Sequence, residues 1–202
     1  MEMKTTVRFL MLALSLAVGF ASTAFPFIPV TGVAQLAGSS DQVLSKTASD
    51  ASQIELAGEF KYGVVHQPKG EAGFVSTAAD TLTQFSLAEK YGSQGFLAHN
   101  YLAGASFFDL GVGSRVTVTY SDGHRVAFVV REIRHLQALQ PNSPTTSFLD
   151  LDHQDVRLNT KQLFMQIYGV PGRLVLQTCI ARDKELSWGR LFIIATPAEE
   201  RE

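Results

Sequence analysis

Three residues of this chain have the types and settings to do covalent chemistry together: Cys179, the only cysteine, His99 and Arg190. A thiol attacks as its thiolate, and an unperturbed pKa of about 8.5 leaves only roughly 3% of it ionised at neutral pH. It therefore needs a base or a cation beside it. His99 follows the apolar stretch Gly95-Phe-Leu-Ala98 and begins a polar turn, His99-Asn100-Tyr101, so a strand end would hold its imidazole both rigid and reachable. Cys179 closes an apolar run, Leu174-Val-Leu-Gln-Thr-Cys179, and Arg190 opens another, Leu191-Phe-Ile-Ile-Ala195. If those two runs pair as antiparallel neighbours, the polar loop over residues 181–189 returns the guanidinium beside the thiol. There it could bind a carbonyl or the oxyanion formed when a thiolate attacks one.

Each residue also has a plainer reading. A solitary cysteine in an exported chain can form an intermolecular bridge, lie buried and inert, or act as a nucleophile, and free cysteines are among the most buried residue types. His99 could be an ordinary turn histidine, and Arg190 a charge that discourages strand-edge pairing.

The elements that must hold these residues are mostly strands. The stretch over residues 115–130 reads as two alternating runs around Asp122-Gly123, a pair that accepts positive φ and so favours a tight hairpin. Residues 174–178 and 191–196 read as buried strands, and 94–98 and 73–76 as weaker ones because each is short and contains glycine. Helix is the minority: residues 159–168 place Leu163, Phe164 and Ile167 on one face, with Asn159 or Thr160 as cap and Gly169 as stop. A short helical turn over residues 102–110 would set Phe107 and Leu110 against the sheet. Residues 81–91 fit strand or helix. Many short strands with few helices in about 140 residues suggest a mainly β fold, a closed or nearly closed barrel.

Bulk composition narrows the field. The 202 residues carry 17 Lys plus Arg against 19 Asp plus Glu, with 46% hydrophobic and 18% charged residues, an ordinary globular balance. Nothing in it forms the basic stripe that nucleic acid requires. Lys4 and Arg8 precede an almost unbroken apolar run over residues 9–20, and Ser22 and Ala24 are small where a signal peptidase needs them. This reads as an export signal over residues 1–24, with an uncleaved membrane anchor to about residue 30 as the alternative. Either way the remainder would face the outside of the cytoplasmic membrane, secreted or held at the cell surface. Residues 31–55, rich in Ser, Ala, Gly and Thr, read as a linker, residues 56–197 as the folded domain and residues 198–202 as a charged tail.

The segments Ala98-His99-Asn100 with Phe107-Phe-Asp-Leu110, Val175-Leu-Gln-Thr-Cys179 and Gly189-Arg190-Leu-Phe-Ile-Ile-Ala resemble those of the sortases, in the order His, Cys, Arg. The resemblance spans roughly residues 60–196, with Val175 standing where that family's strand motif has its first threonine. It implies an eight-stranded β-barrel with short helices and a membrane-associated cysteine transpeptidase. Cys179 would attack a carbonyl of a sorting-signal peptide of the Leu-Pro-x-Thr-Gly type to give a thioacyl intermediate. His99 would serve the leaving and entering amines, and Arg190 would steady substrate and oxyanion. Thr178, Trp188 and Asn100 would contact the substrate, and an amine on the cell surface, or water, would accept the acyl group.

No cofactor is expected. Asp150, Asp152 and Asp155 form an acidic cluster at a place where some sortases bind calcium, but three carboxylates without a glycine-containing loop read first as a solvated loop. His66, His124, His135 and His153 read as solvated. Two other functions stay open: a secreted barrel that binds peptides without turnover, and a plain secreted cysteine endopeptidase. Papain-like enzymes usually place Cys before His, the reverse of the order here, and the Ser-His-Gly-Cys arrangement of L,D-transpeptidases is absent around Cys179.

Overall fold

A computed structural model describes residues 50–143, 145–153 and 156–199. The export-signal and anchor readings, most of the linker and the last residues of the tail lie outside these. Among the described residues no helix is long and apolar enough to cross a membrane.

The chain forms β1 (Ala51–Leu56), β2 (Phe60–His66), β3 (Thr81–Gln84), α1 (Ser86–Glu89), β4 (Gln94–Leu97), a 3-10 helix (Ala103–Asp109), β5 (Arg115–Tyr120), β6 (Arg125–Ala138), β7 (Phe148–Asp150), β8 (Arg157–Leu158), α2 (Thr160–Tyr168), β9 (Leu174–Arg182) and β10 (Glu185–Pro197). The strands hydrogen-bond in the order β10-β9-β4-β3-β2-β1-β5-β6, and β6 pairs again with β10. That last pairing closes an eight-stranded barrel, to which β7 and β8 are appended at the β6 edge. Closure removes the sheet edges that would otherwise be open to other chains.

Alternation along the strands separates two apolar clusters. Leu174, Leu176, Phe96, Val116, Val118, Leu191 and Ile193 fill the barrel, with Phe107 of the 3-10 helix among them. Val175, Leu97, Leu136, Phe192 and Ile194, one residue out of step, lie on the outer wall, where Leu163, Phe164, Ile167 and Tyr168 of α2 cover them. Val175, the residue at the family's threonine position, thus packs beneath a helix.

Local signals are used as their chemistry demands. Gly123 takes φ of 85° in the β5–β6 turn. Asn159 caps α2 by accepting from the Gln162 amide, and the Gln162 side chain accepts from the Asn159 amide, a reciprocal capping box.

Two expectations are corrected, and one strand runs further than its apolar pattern. The fold begins at Ala51, because Ile54 and Leu56 are fully buried and β1 pairs with both β2 and β5; residues 51–55 are therefore strand and not linker. Residues 73–76 form no strand; they lie in the crossover that the parallel β2–β3 pair requires. Residues 131–138, crowded with Arg131, Glu132, Arg134 and His135, continue β6.

Candidate active site

The barrel brings Cys179, His99 and Arg190 together. In the antiparallel β9–β10 pair Arg190 lies directly opposite Cys179. Directly opposed residues share a face, with Cβ atoms about 4.5–5.5 Å apart. On the other side of β9 the parallel partner β4 sets Leu97 beside Gln177, and the Ala98 amide donates to the Gln177 carbonyl at 3.2 Å. Two residues further on stand Cys179, still within β9, and His99, just past the end of β4. Val175 belongs to the outer-wall cluster, so alternation along β9 carries Cys179 toward that same wall, while His99 opens the turn that leaves β4 beside it. All three residues are nearly covered, with 4% exposure for Cys179, 5% for His99 and 6% for Arg190.

The 3-10 helix seats the histidine turn. The amides of Leu102 and Gly104 both donate to the His99 carbonyl, each at 3.0 Å, and the Thr178 hydroxyl donates to the Ala98 carbonyl at 2.9 Å. Gly104 is needed here: a Cβ would lie 2.7 Å from the His99 carbonyl and overlap the Thr178 hydroxyl. Tyr62 reaches across from β2 and donates to Ser106, which in turn donates to the Ala103 carbonyl. Asn100 donates from its side chain to the Leu186 carbonyl at 3.1 Å, joining this turn to the beginning of β10.

Burial governs the resting protonation. It pushes the Cys179 thiol above its ordinary range; the Arg190 charge opposes that rise and the Glu185 charge adds to it. Burial also lowers His99, against a hydrogen bond to the Val75 carbonyl that favours the protonated ring. The resting pair is therefore thiol and neutral imidazole. In that state the ring can take the thiol proton as attack begins, and the guanidinium can meet negative charge developing on a carbonyl oxygen.

Several sequence expectations change at this site. Cys179 does not end its strand, because β9 continues through Arg182 and turns at residues 183 and 184, where Asp183 has φ of 55°. Arg190 does not open its strand either; β10 starts at Glu185, and most of the expected 181–189 loop is strand with a bulge. Thr178 is buried with its hydroxyl donated to the Ala98 carbonyl, so it ties the middle of β9 to the chain leaving β4 and does not present that proton to a substrate. Trp188 is half-buried on the bulge, with the Arg182 guanidinium 4.9 Å from its ring centroid.

Asp150 is not part of a solvated loop, as the acidic cluster was expected to be; it ends β7 and is buried. The Asp150 carboxylate is 1% exposed, paired with Arg134 and bonded by the amides of Asp152 and His153, while Asp152 binds the His135 amide and ring. Asp155 lies outside the described residues. His124 lies against Asp122, His135 against Asp152 and His153 against Asp150, and these histidines are half-exposed or exposed.

Sequence reasoning missed four contributors: Tyr101, which stacks on His99 with centroids 5.1 Å apart; Gly104; the Val75 carbonyl; and Glu185. Tyr101 had a signal in its place beside His99. The others are set by long-range packing.

No protein-family model matches the chain, and no curated protein matches it. Among solved structures, sortase C1 from Streptococcus suis superposes with a TM-score of 0.50 at 12% identity, covering 76% of this chain and 75% of that one. Sortase C from Clostridium perfringens gives 0.46 at 11% identity over 75% of this chain and 71% of that one. Sortase C1 from Streptococcus agalactiae gives 0.45 at 14% identity over 80% and 74%. The closed barrel of eight strands and the superposition on the Streptococcus suis structure show that the chain has a sortase-like fold.

Proposed function

We propose that the protein is a cysteine transpeptidase that cleaves a sorting-signal peptide and passes its acyl part to an amine. The observation that supports this reading is the β4–β9–β10 arrangement, in which Arg190 lies opposite Cys179 and β4, the other neighbour of β9, ends two residues before His99. A thiol, a base and a cation on one wall are the minimum for acyl transfer through a thioester.

The Cys179 sulfur adds to a backbone carbonyl while His99 takes the thiol proton, giving a tetrahedral oxyanion beside Arg190. Collapse breaks the C–N bond, and His99 returns the proton to the departing amine. The thioester then meets the acceptor amine, His99 removes its proton, and a new amide forms as the thiol is restored. Water in place of the amine yields the carboxylic acid. The peptide substrate, the amine acceptor and action on the outer side of the cytoplasmic membrane belong to this proposal. The export-signal layout around Lys4, Arg8 and the following apolar run supports the location.

The test incubates the full chain with Leu-Pro-x-Thr-Gly peptides, with and without an amine such as triglycine, and resolves ligated from hydrolysed product. Ligation that disappears in His99→Ala and Arg190→Ala supports the reading. Hydrolysis alone favours a cysteine endopeptidase, and binding without any turnover favours a peptide-binding barrel.

A further inference from the structure

Between Glu185, which pairs with Arg182, and Gly189, which pairs with Ile180, β10 uses three intervening residues where β9 uses one. This bulge carries the turn of backbone from which Arg190 is held. The Arg190 Nη1 donates to the Ser187 carbonyl at 2.9 Å and to the Gly189 carbonyl at 2.8 Å. Two carbonyls two residues apart can converge on one nitrogen only because the strand is buckled there. Gly189 permits the buckle: a Cβ would lie 2.6 Å from the Leu136 carbonyl on the neighbouring strand.

Glu185 fastens the other end. One carboxylate oxygen accepts from the Ser187 amide at 2.9 Å and from the Ser187 hydroxyl at 2.8 Å. The second accepts from Asn142, in the β6–β7 connection, at 3.4 Å. Ser187 is thus held by Glu185 through its donors and holds Arg190 through its acceptor. Charge-assisted bonds of this kind are about twice as strong as neutral ones, enough to fix a short bulge.

We propose that Glu185 is a positioning residue: its carboxylate latches Ser187, which keeps the bulge in the shape that aims Arg190 at Cys179. Arg190 is the group that meets substrate, and Glu185 acts through it. The proposal rests on the transpeptidase reading for its consequence in turnover, but not for its consequence in thiol ionisation. Glu185 also faces the thiol as a charge, so the latch and the charge must be separated experimentally.

Glu185→Gln and Glu185→Ala do so, since both lack the charge and only glutamine can still accept from Ser187. The readout is the pH profile of Cys179 alkylation by iodoacetamide in the full chain, which needs no substrate. Glu185→Gln is expected to move the profile to lower pH, because a negative neighbour has gone while Arg190 stays in place. The Glu185→Ala profile is expected above that of Glu185→Gln, because the cation is no longer aimed at the thiol. With a working peptide substrate, kcat/KM is expected to fall about tenfold in Glu185→Ala and within about threefold in Glu185→Gln, the size of one lost hydrogen bond to a charged group. Should Glu185→Ala fail to fold, Ser187→Ala, which deletes one of the two latch donors, is expected to raise the profile relative to the unsubstituted chain. Coincident Gln and Ala profiles, or an unmoved Ser187→Ala profile where that variant is needed, would overturn the latch. Absence of turnover in the unsubstituted chain would overturn the transpeptidase reading and leave the alkylation comparison standing.

Discussion

Arg190 stands directly across the β9–β10 ladder from Cys179, and it is the favourable charge acting on a thiol whose burial disfavours ionisation. The opposing effects leave a neutral thiol and a neutral His99 at rest, so in the proposed mechanism the nucleophile forms as its proton leaves for the ring.

The pH dependence of kcat/KM should be a broad bell. His99 is lowered, so the acid limb should fall below about 6.5, the usual histidine value; Cys179 is raised, so the alkaline limb should lie above about 8.5. The limbs report macroscopic values of the pair. Rate profiles measured across this range check the signs; a narrow bell inside the two ordinary values would contradict them.

Tyr101 covers the His99 ring while remaining 53% exposed, and so contributes to the dry surroundings that lower the imidazole. Tyr101→Ala should admit water and raise the His99 pKa, moving the acid limb of the rate profile to higher pH. Tyr101→Phe should leave that limb in place. Kinetics of the two variants over the acid limb make the comparison.

Gly104→Ala forces a methyl group against the His99 carbonyl and the Thr178 hydroxyl. The overpacking should destabilise the fold by about 1–3 kcal/mol and displace the turn bearing His99. Denaturant melts paired with turnover measure both effects, and kcat should fall by more than the lost folded fraction accounts for.

Asp150 and Arg134 form a buried ion pair, with 1% and 8% exposure. Burial alone would raise the carboxyl pKa. The hydrogen bond from Arg134, those from the His153 and Asp152 amides and the Arg134 charge outweigh it, so the pKa is lowered. A carboxyl lowered by folding stabilises the protein above its unfolded pKa, and that contribution is lost as pH falls through the folded value. Asp150→Asn should therefore cost about 1–3 kcal/mol near neutrality, by removing the buried carboxylate of the pair and leaving Arg134 with Glu132 and Gln166, and should flatten the acid loss of stability. Chemical denaturation at several pH values tests both.

The parts legible in the sequence are those decided by neighbouring residues. Asp122-Gly123 specifies a turn through φ, Asn159 and Gln162 specify a helix start through their side chains, and the apolar runs around Cys179 and Arg190 specify buried strands. Antiparallel pairing of those runs was the condition for bringing the thiol and guanidinium together, and the β9–β10 register meets it. The illegible parts depend on distant partners. β1 carries Ser52, Gln53 and Glu55 yet is a strand because β2 and β5 flank it. β6 continues through charged residues because β10 pairs with it along that length, and Arg134 finds Asp150 there. Glu185 reads as a polar loop residue until the bulge shows what its carboxylate binds.

The central claim is that Cys179 becomes acylated by a peptide. Intact-mass spectrometry of the full chain, quenched in acid within seconds of mixing with a sorting-signal peptide, measures this directly. The predicted result is a gain equal to the acyl fragment, released by hydroxylamine and absent in Cys179→Ala. No added mass with any peptide of a varied panel, or an adduct that persists in Cys179→Ala, would contradict the account.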